Sequence, residues 1–418
     1  MNPSLKILMV NKFFYVKGGS ERYFFELMHL LRSKGHAVIP FAMHHPNNEK
    51  SRFSDTFVDY TEYNRSGQSR LIDRAHQACR MIYSLHAQKQ IETLIRKTRP
   101  DIAHLHMIDH QISPSILPVL KKYGIPIIQT VHQYKLICPN YRLFIPRKNE
   151  ICTRCVGGSL IHPVIQKCHR DSRFASAMVA FEAFVHRMIR IYRHVDLFHV
   201  PSHFMGQKLA EGGIGEDRIV HANYTIDLDS FPCSPVYEPY YVYAGRLSNE
   251  KGILTLLKAA RMIPDFPLYI IGDGPQRDRI ERCIRDEKLN HIRLTGALDK
   301  VRLREIVGKS RCLVVPSEWY DNSPLVIYEA FSMGKPVIAS KMGGMPELVQ
   351  HGETGLLFEA GHVETLADSI RQLMKEPETA QRMGYQARRK AEQQFSFEIH
   401  YKKVMGFYST LLNAKDSL

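Results

Sequence analysis

A chain of 418 residues with 44% hydrophobic and 24% charged side chains is too long for one ordinary domain and too apolar for wholesale disorder, so two domains of about 200 residues are expected. No run of about 18 apolar residues occurs, and Ile7-Leu8-Met9-Val10 is interrupted at once by Asn11 and Lys12; neither a spanning helix nor a signal peptide is expected, and the reading is a cytosolic protein. The net charge of +15 is confined to residues 1–200, where 29 Lys and Arg face 14 Asp and Glu, whereas residues 201–418 carry 28 of each.

Short apolar runs alternate with amphipathic stretches, the pattern of βα units and a parallel sheet. Residues 5–10 predict a strand, followed by a loop holding Gly18 and Gly19 and a helix over 20–33. Strands are expected at 37–43, 101–106, 125–131 and 196–200, with a long basic helix over 70–97 and another helix over 112–123. Phe231-Pro232-Cys233-Ser234-Pro235 reads as a linker. Beyond it, residues 240–244, 267–271, 292–294, 312–315 and 337–339 predict buried parallel strands, and 380–412 a helical tail. The expectation is two Rossmann-like domains, 1–230 with an insertion over about 133–170, and 236–395, with a terminal helix over 396–418 packing back on the first. Ligands of such domains sit at the C-terminal strand ends.

Three signatures fail on inspection. Gly308-Lys309-Ser310 ends like a P-loop, but Leu303 stands where glycine is required. Asp227 and Asp229 resemble a metal-binding pair, yet they fall beside the linker and read as structural. No G-x-G-x-x-G follows the first strand, and the second runs into His44-His45, so NAD is not expected.

The strongest segment runs from Val314 through Asp321-Asn322-Ser323-Pro324-Leu325-Val326 to Glu329. A buried strand ends, a polar loop follows, and a helix opens with Ser323 as expected cap and Pro324 at its first position. The amides of Leu325 and Val326 then suit a diphosphate. Glu329 lies a turn and a half into the helix, and its carboxylate could accept hydrogen bonds from both hydroxyls of a ribose. A second segment, Gly245-Arg246-Leu247-Ser248-Asn249-Glu250-Lys251-Gly252, again follows a strand and supplies two cations for one diphosphate.

These segments, with Gly272-Asp273-Gly274-Pro275 and Gly343-Gly344-Met345-Pro346-Glu347, closely resemble the GT-B glycosyltransferases of family 4. The resemblance spans about residues 5–410. It implies two Rossmann-like domains facing across a cleft and a retaining sugar transfer from a nucleotide-diphosphate-sugar donor without a catalytic metal. By resemblance Arg246 and Lys251 neutralise the departing diphosphate, Glu329 holds the ribose, and Gly274 and the loop holding Asn322 and Ser323 belong to the donor site. The family spaces two Glu seven residues apart; Asp321 stands in the first of these positions, one methylene shorter, with Glu318 as a candidate stand-in. Gly18 and Gly19 fall where backbone can approach a phosphate, as in the family, and His132 follows a strand where the family often has a histidine contacting the donor sugar.

Cys138, Cys152, Cys155 and Cys168 lie in a loop rich in Arg, Lys, Pro and Gly. The spacing suits a closed tetrahedral structural zinc site, with free thiols or an oxidised pair as the alternatives; a subset of the family resembles this chain in carrying such an insertion. Next, Phe174, Met178, Phe181, Val185, Met188 and Tyr192 form an apolar helical stripe beside Arg173, Arg187, Arg190 and Arg193. Core packing is expected of the stripe, with anionic lipid as the alternative.

The charge split predicts a first domain facing an anionic membrane surface, with solubility charge as the plain alternative. Arg96, Lys97 and Arg99 are further candidates for that contact. Nucleic acid is not expected, since no binding module accompanies the charge. The expected activity is transfer to a glycan or lipid-linked acceptor at the cytoplasmic membrane face, in cell-surface polysaccharide synthesis. A GT-B nucleotide-sugar epimerase and a non-catalytic nucleotide-sugar-binding protein are the alternatives.

Overall fold

A computed structural model describes residues 4–60 and 80–416. The strands are β1 Lys6–Val10, β2 Ala37–Phe41, β3 Ile102–Leu105, β4 Ile127–Thr130, β5 Phe144–Ile145, β6 Glu150–Ile151, β7 Leu197–Val200, β8 Ile219–His221, β9 Tyr241–Ala244, β10 Leu268–Ile271, β11 Ile292–Gly296, β12 Cys312–Val315, β13 Val337–Ser340 and β14 Gly355–Phe358. They form two six-stranded sheets, ordered β2-β1-β3-β4-β7-β8 and β11-β10-β9-β12-β13-β14, and a small β5-β6 hairpin inside the insertion. Every pairing in the two large sheets is parallel. Their strands are short apolar runs because helices cover both faces: all of β3, β4, β7, β12 and β13 is buried.

The predicted strands appear, together with β8, β14 and the hairpin, which the apolar pattern had not marked. Part of the helix expected over 70–97 lies outside the described residues; within them it is not continuous, since residues 80–82 are helical, Tyr83 and Ser84 are not, and a separate helix runs Leu85–Thr98, where the Ser84 hydroxyl accepts from the Ala87 amide at 3.1 Å. The helix expected over 112–123 starts only at Ile116, after Ser113 takes a φ of 65°. Ser113 precedes Pro114, and a residue before proline is driven out of the right-handed helical region.

The linker lies against the second domain, with the Ser234 amide donating to the Met333 carbonyl. The final helix, Phe397–Asp416, returns to the first domain, where His400 bonds Tyr23, Tyr401 bonds His36 and Tyr408 bonds His104, at 2.9, 2.9 and 2.7 Å. The two sheets are thus held together by a chain that crosses between them twice.

The helix Arg173–Met188 forms as its periodicity demands, but half of the stripe expected in the core faces outward, while Met178 and Val185 are half-buried and Tyr192, beyond the helix, packs on the first-domain core. Phe174, Phe181 and Met188 are 76%, 54% and 68% exposed, whereas Ser176, Val179, Ala180, Glu182 and His186 are buried. Polar partners decide the rotation. Glu182 accepts from Lys135 at 2.7 Å, and His186 bonds the Ile82 carbonyl at 2.8 Å. Against the burial that would raise it, Lys135 and His110 hold the Glu182 carboxyl below its ordinary range. A buried charge left without its partner costs about 3–5 kcal/mol, more than burying one apolar side chain returns.

Candidate active site

Between the sheets lies a cavity of about 370 Å³, at the C-terminal ends of β1 and β4 on one side and of β9 and β12 on the other. Of the sequence candidates, Gly19 and His132 line it from the first domain; Arg246, Lys251, Asp321, Asn322, Ser323, Leu325 and Val326 line it from the second. Gly18, Gly274, Glu318, Glu329 and the four insertion cysteines are not among the lining residues.

On the second-domain wall, Lys251 ends the turn Asn249–Lys251 and pairs with the Asp321 carboxylate. The same carboxylate accepts from the Ser317 hydroxyl at 3.0 Å. Gly252 makes this possible: its φ is 68°, and a Cβ there would overlap the Pro316 carbonyl. Only glycine lets the cationic loop lie backbone-on-backbone against the end of β12. Gly274 does similar work behind the wall, where a Cβ would collide with the Leu247 backbone next to Arg246. The chain's sole tryptophan, Trp319, lines the cavity beneath the Lys251 ammonium, 5.4 Å from ring centre to nitrogen.

The helix Leu325–Ser332 departs from the expected capping. Pro324 occupies the cap position with φ −66° and ψ 117°, and no side chain caps the helix. The Ser323 hydroxyl instead bonds the Tyr328 hydroxyl at 2.6 Å. The first amides, on Leu325 and Val326, therefore meet the cavity at the positive end of the helix with no side-chain partner. Opposite them begins the helix Gly19–Ser33, likewise uncapped by a side chain. Gly18 there is extended (φ −164°), so neither glycine serves a left-handed turn. Gly19 supplies proximity, since a Cβ on it would touch Leu325 at 3.5 Å. Two positive helix ends thus face one space.

Glu329 is buried behind the wall and pairs across the domain boundary with Arg22, which also reaches Glu26 at 3.1 Å. Burial raises the Glu329 carboxyl above its ordinary value, and Arg22 opposes this. Glu318 is committed elsewhere, to the Thr255 hydroxyl and, at 2.8 Å, to the Asn149 amide. Asn322 accepts from the Ser202 hydroxyl at 2.6 Å, a further contact between domains.

The first-domain wall is aromatic. The His132 ring nitrogens meet the Tyr224 hydroxyl at 2.6 Å and His106 at 3.0 Å. Burial, with His199 nearby, lowers His132 to about 3, so it is neutral near pH 7. With both nitrogens engaged by protein, His132 presents ring surface to the cavity. Behind it, His104, Thr130 and His199 form a buried chain linked at 2.7 and 2.9 Å.

Tyr224, Tyr243, Trp319, Arg22 and, from the insertion, Tyr141 belong to the site or its immediate support and were not legible as such. Arg22 alone had a signal: it lies one turn into the helix that follows Gly18-Gly19, facing a glutamate that needs a counter-charge. Of the rejected signatures, Gly308-Lys309-Ser310 closes the helix Lys300–Lys309 just before β12, and Asp227 accepts from the Asp229 amide at 3.2 Å in a local turn.

The insertion gathers its thiols. Cys138 and Cys155 are buried and Cys152 and Cys168 half-buried, all unpaired by disulfide. Burial and the neighbouring thiols push Cys155 up to about 12 and Cys168 up to about 11, while the Cys138 thiol donates to the Asn140 side-chain oxygen at 2.9 Å. Among the described residues, the one group of three or more His, Cys, Asp or Glu ligand atoms within 4.8 Å of one another is His203, His221 and Glu347, not the cysteines.

The model of the glycosyl transferases group 1 matches residues 233–390, and that of Glycosyltransferase Family 4 matches residues 17–230. Sulfoquinovosyl transferase SQD2 of Arabidopsis thaliana is 26% identical over 74% of this chain and 56% of its own length. N-acetyl-alpha-D-glucosaminyl L-malate synthase of Bacillus anthracis is 33% identical over 35% of this chain and 37% of its own length. The matched span is thus about half the length of such relatives. Among solved structures, sucrose-phosphate synthase from Thermosynechococcus elongatus superposes with a TM-score of 0.72 at 20% identity, covering 98% of this chain and all of that one. HepE from Anabaena gives 0.66 at 17% identity, covering 97% of this chain and all of that one. The two facing parallel-sheet domains are the GT-B fold.

Proposed function

This chain belongs to Glycosyltransferase Family 4, and on that premise we propose that it is a retaining glycosyltransferase moving a sugar from a nucleotide-diphosphate-sugar to a lipid-linked glycan acceptor. One observation carries the reading: Arg246, Lys251 and the uncapped amides of Leu325 and Val326 converge on one cavity. At about 370 Å³ the cavity has the size of a small-molecule site. HepE has been solved with UDP-glucose bound, which favours the same donor class here.

Charge builds on the leaving diphosphate as the glycosidic bond breaks. Two cations and two helix amides fixed beforehand stabilise that charge without reorganising, and are worth more there than in water. No catalytic metal is needed in this reading. Asp321, held by Lys251 and Ser317, receives hydroxyls of the donor sugar, and Glu329 takes the ribose when Arg22 yields it. The epimerase alternative needs an acid–base pair, for which the neutral His132 and the paired Asp321 are poor material. Turnover of a panel of nucleotide sugars, chosen by thermal stabilisation and followed by NMR of the product's anomeric configuration, tests the reading. Retention with release of nucleoside diphosphate is expected; inversion, or stabilisation without turnover, would overturn it.

The acceptor side belongs to the membrane in this reading, at its cytoplasmic face, in the synthesis of a cell-surface polysaccharide. The exposed Phe174, Phe181 and Met188, with Arg190 and Arg193 in the turn that follows their helix, form an apolar and basic face. Arg96 and Lys97 contribute less, being paired with Glu92 and Asp55. No helix among the described residues is long and apolar enough to cross a membrane.

The insertion is proposed to take a structural zinc through Cys138, Cys152, Cys155 and Cys168. Their gathering supports this; their sulfurs must draw closer than they stand to reach about 2.3 Å from one ion. One zinc per chain is expected on metal analysis. Four freely titrating thiols in folded protein that holds no zinc would refute it.

A further inference from the structure

Apart from the cavity, one cluster of side chains spans the two domains with its polar atoms turned on one another. His203 opens the helix His203–Glu211 and its side chain is exposed. His221 ends β8, half-buried. Glu347 comes from the other domain, in the short helix Met345–Leu348. The ligand atoms of all three lie within 4.8 Å of one another.

The cluster is built rather than incidental. The imidazole rings of His203 and His221 stand 3.9 Å apart between centres. The His221 Nε2 is buried and has no hydrogen-bond partner, so nothing in the protein offsets the loss of water at that atom. The Asn223 side chain hydrogen-bonds the His221 ring, the kind of outer contact that orients a ligating imidazole. Glu347 is held by two amides: His203 N donates to one carboxylate oxygen and Phe204 N to the other, both at 2.7 Å. Each oxygen keeps a further lone pair. Its own carbonyl accepts from Lys390 at 3.0 Å.

The seam beneath the cluster is tight. A Cβ on Gly344 would stand 2.7 Å from the Ser202 Cβ, and Ser202 itself bonds Asn322. The three ligands therefore converge only while the two domains hold this relation. Two imidazoles and a carboxylate form the donor set of three-ligand zinc sites, with the remaining position open to water, and imidazole also suits cobalt and nickel.

We propose that His203, His221 and Glu347 bind one divalent transition-metal ion across the domain boundary and so clamp the cleft in its closed relation. The site stands whatever sugar the cleft transfers and is independent of the cysteine insertion.

Calorimetric titration of the full chain with Co²⁺ tests it, using His203→Ala, chosen because the His203 side chain is exposed, beside Cys152→Ser. Removing an outer-shell partner alone costs about 10-fold to 100-fold in metal affinity. His203→Ala should therefore weaken one Co²⁺ site at least tenfold, while Cys152→Ser leaves that site unchanged. The His203-dependent absorption should lack sulfur-to-cobalt charge transfer. In the wild type Co²⁺ should slow amide exchange in His203–Glu211 and Met345–Leu348, and it should not do so in His203→Ala. Equal Co²⁺ binding by wild type and His203→Ala, or binding carried wholly by thiolate, overturns the site. Binding that depends on His203 but leaves amide exchange unchanged overturns the clamp.

Discussion

The two walls of the cleft are built on the same parallel sheet and meet their ligand space in opposite ways. The wall after β9 and β12 carries charge in the open: Arg246, Lys251 and Asp321 on loops beside an uncapped helix end. The wall after β1 and β4 carries neutral rings, His132 on Tyr224 and His106, backed by further buried histidines. Yet residues 1–200, the greater part of the first domain, hold the whole net charge of the chain. Its lysines and arginines therefore serve its outer surface, while the surface that faces the ligand was kept neutral. Arg22 with Glu329 carries charge from one wall to the other behind the cavity, and Arg142 of the insertion pairs with Glu250 at 3.7 Å beside it.

The contrast breaks most readily at the charged wall. Arg246→Ala or Lys251→Ala should each lower kcat about 10²-fold to 10³-fold with an identified donor, about 2.7–4 kcal/mol, with a smaller change in KM. Near-normal turnover in both variants would mean that the diphosphate lies elsewhere.

The pair joining the walls comes next. Arg22→Ala leaves the Glu329 carboxylate buried without its partner, and should cost about 3 kcal/mol in urea unfolding. That is the low end for a buried pair, because the Arg22 side chain is 25% exposed against 5% for Glu329. Arg22→Lys should recover part of the loss. Equal stability of wild type and Arg22→Ala would show that the pair does not hold the domains together.

The neutral wall should reveal itself through acid. Burial, with neighbouring histidines, lowers His132 and His400 to about 3; burial also lowers His199 to about 4. Below about pH 6.5 the unfolded chain takes up protons that these folded rings refuse. Stability is then full above about pH 6.5 and is lost as pH falls toward the folded values, by about 1.4 kcal/mol per histidine for each pH unit. Urea midpoints at pH 7 and pH 5.5 should therefore differ, and His400→Gln should shrink the difference. A midpoint that does not move between these pH values would contradict a neutral buried cluster.

The smallest effect belongs to the outer surface. Arg190→Gln and Arg193→Gln should each weaken binding to anionic vesicles by about 1 kcal/mol, with a further loss at higher salt. Phe174→Ser and Met188→Ser should weaken it without changing the salt dependence. Equal binding to neutral and anionic vesicles would leave the basic half as solubility charge.

Much of this molecule was legible from spacing. Short apolar runs marked ten of the strands before any contact was known, because a strand buried on both faces must be apolar throughout. The charged wall was legible for a related reason: its loops are local, so Arg246, Lys251, Asp321 and the helix end at Leu325 sit at fixed distances from strands that the pattern locates. Only the tertiary structure decided the rest. The inward face of the helix Arg173–Met188 was set by Lys135, His110 and Ile82, which are distant in sequence, and their polar demand outweighed an apolar stripe. Arg22 met Glu329, and His203 and His221 met Glu347, only because two domains closed on each other. Local chemistry follows periodicity, whereas pairing between distant polar groups depends on which surfaces meet, and no period in the chain encodes that.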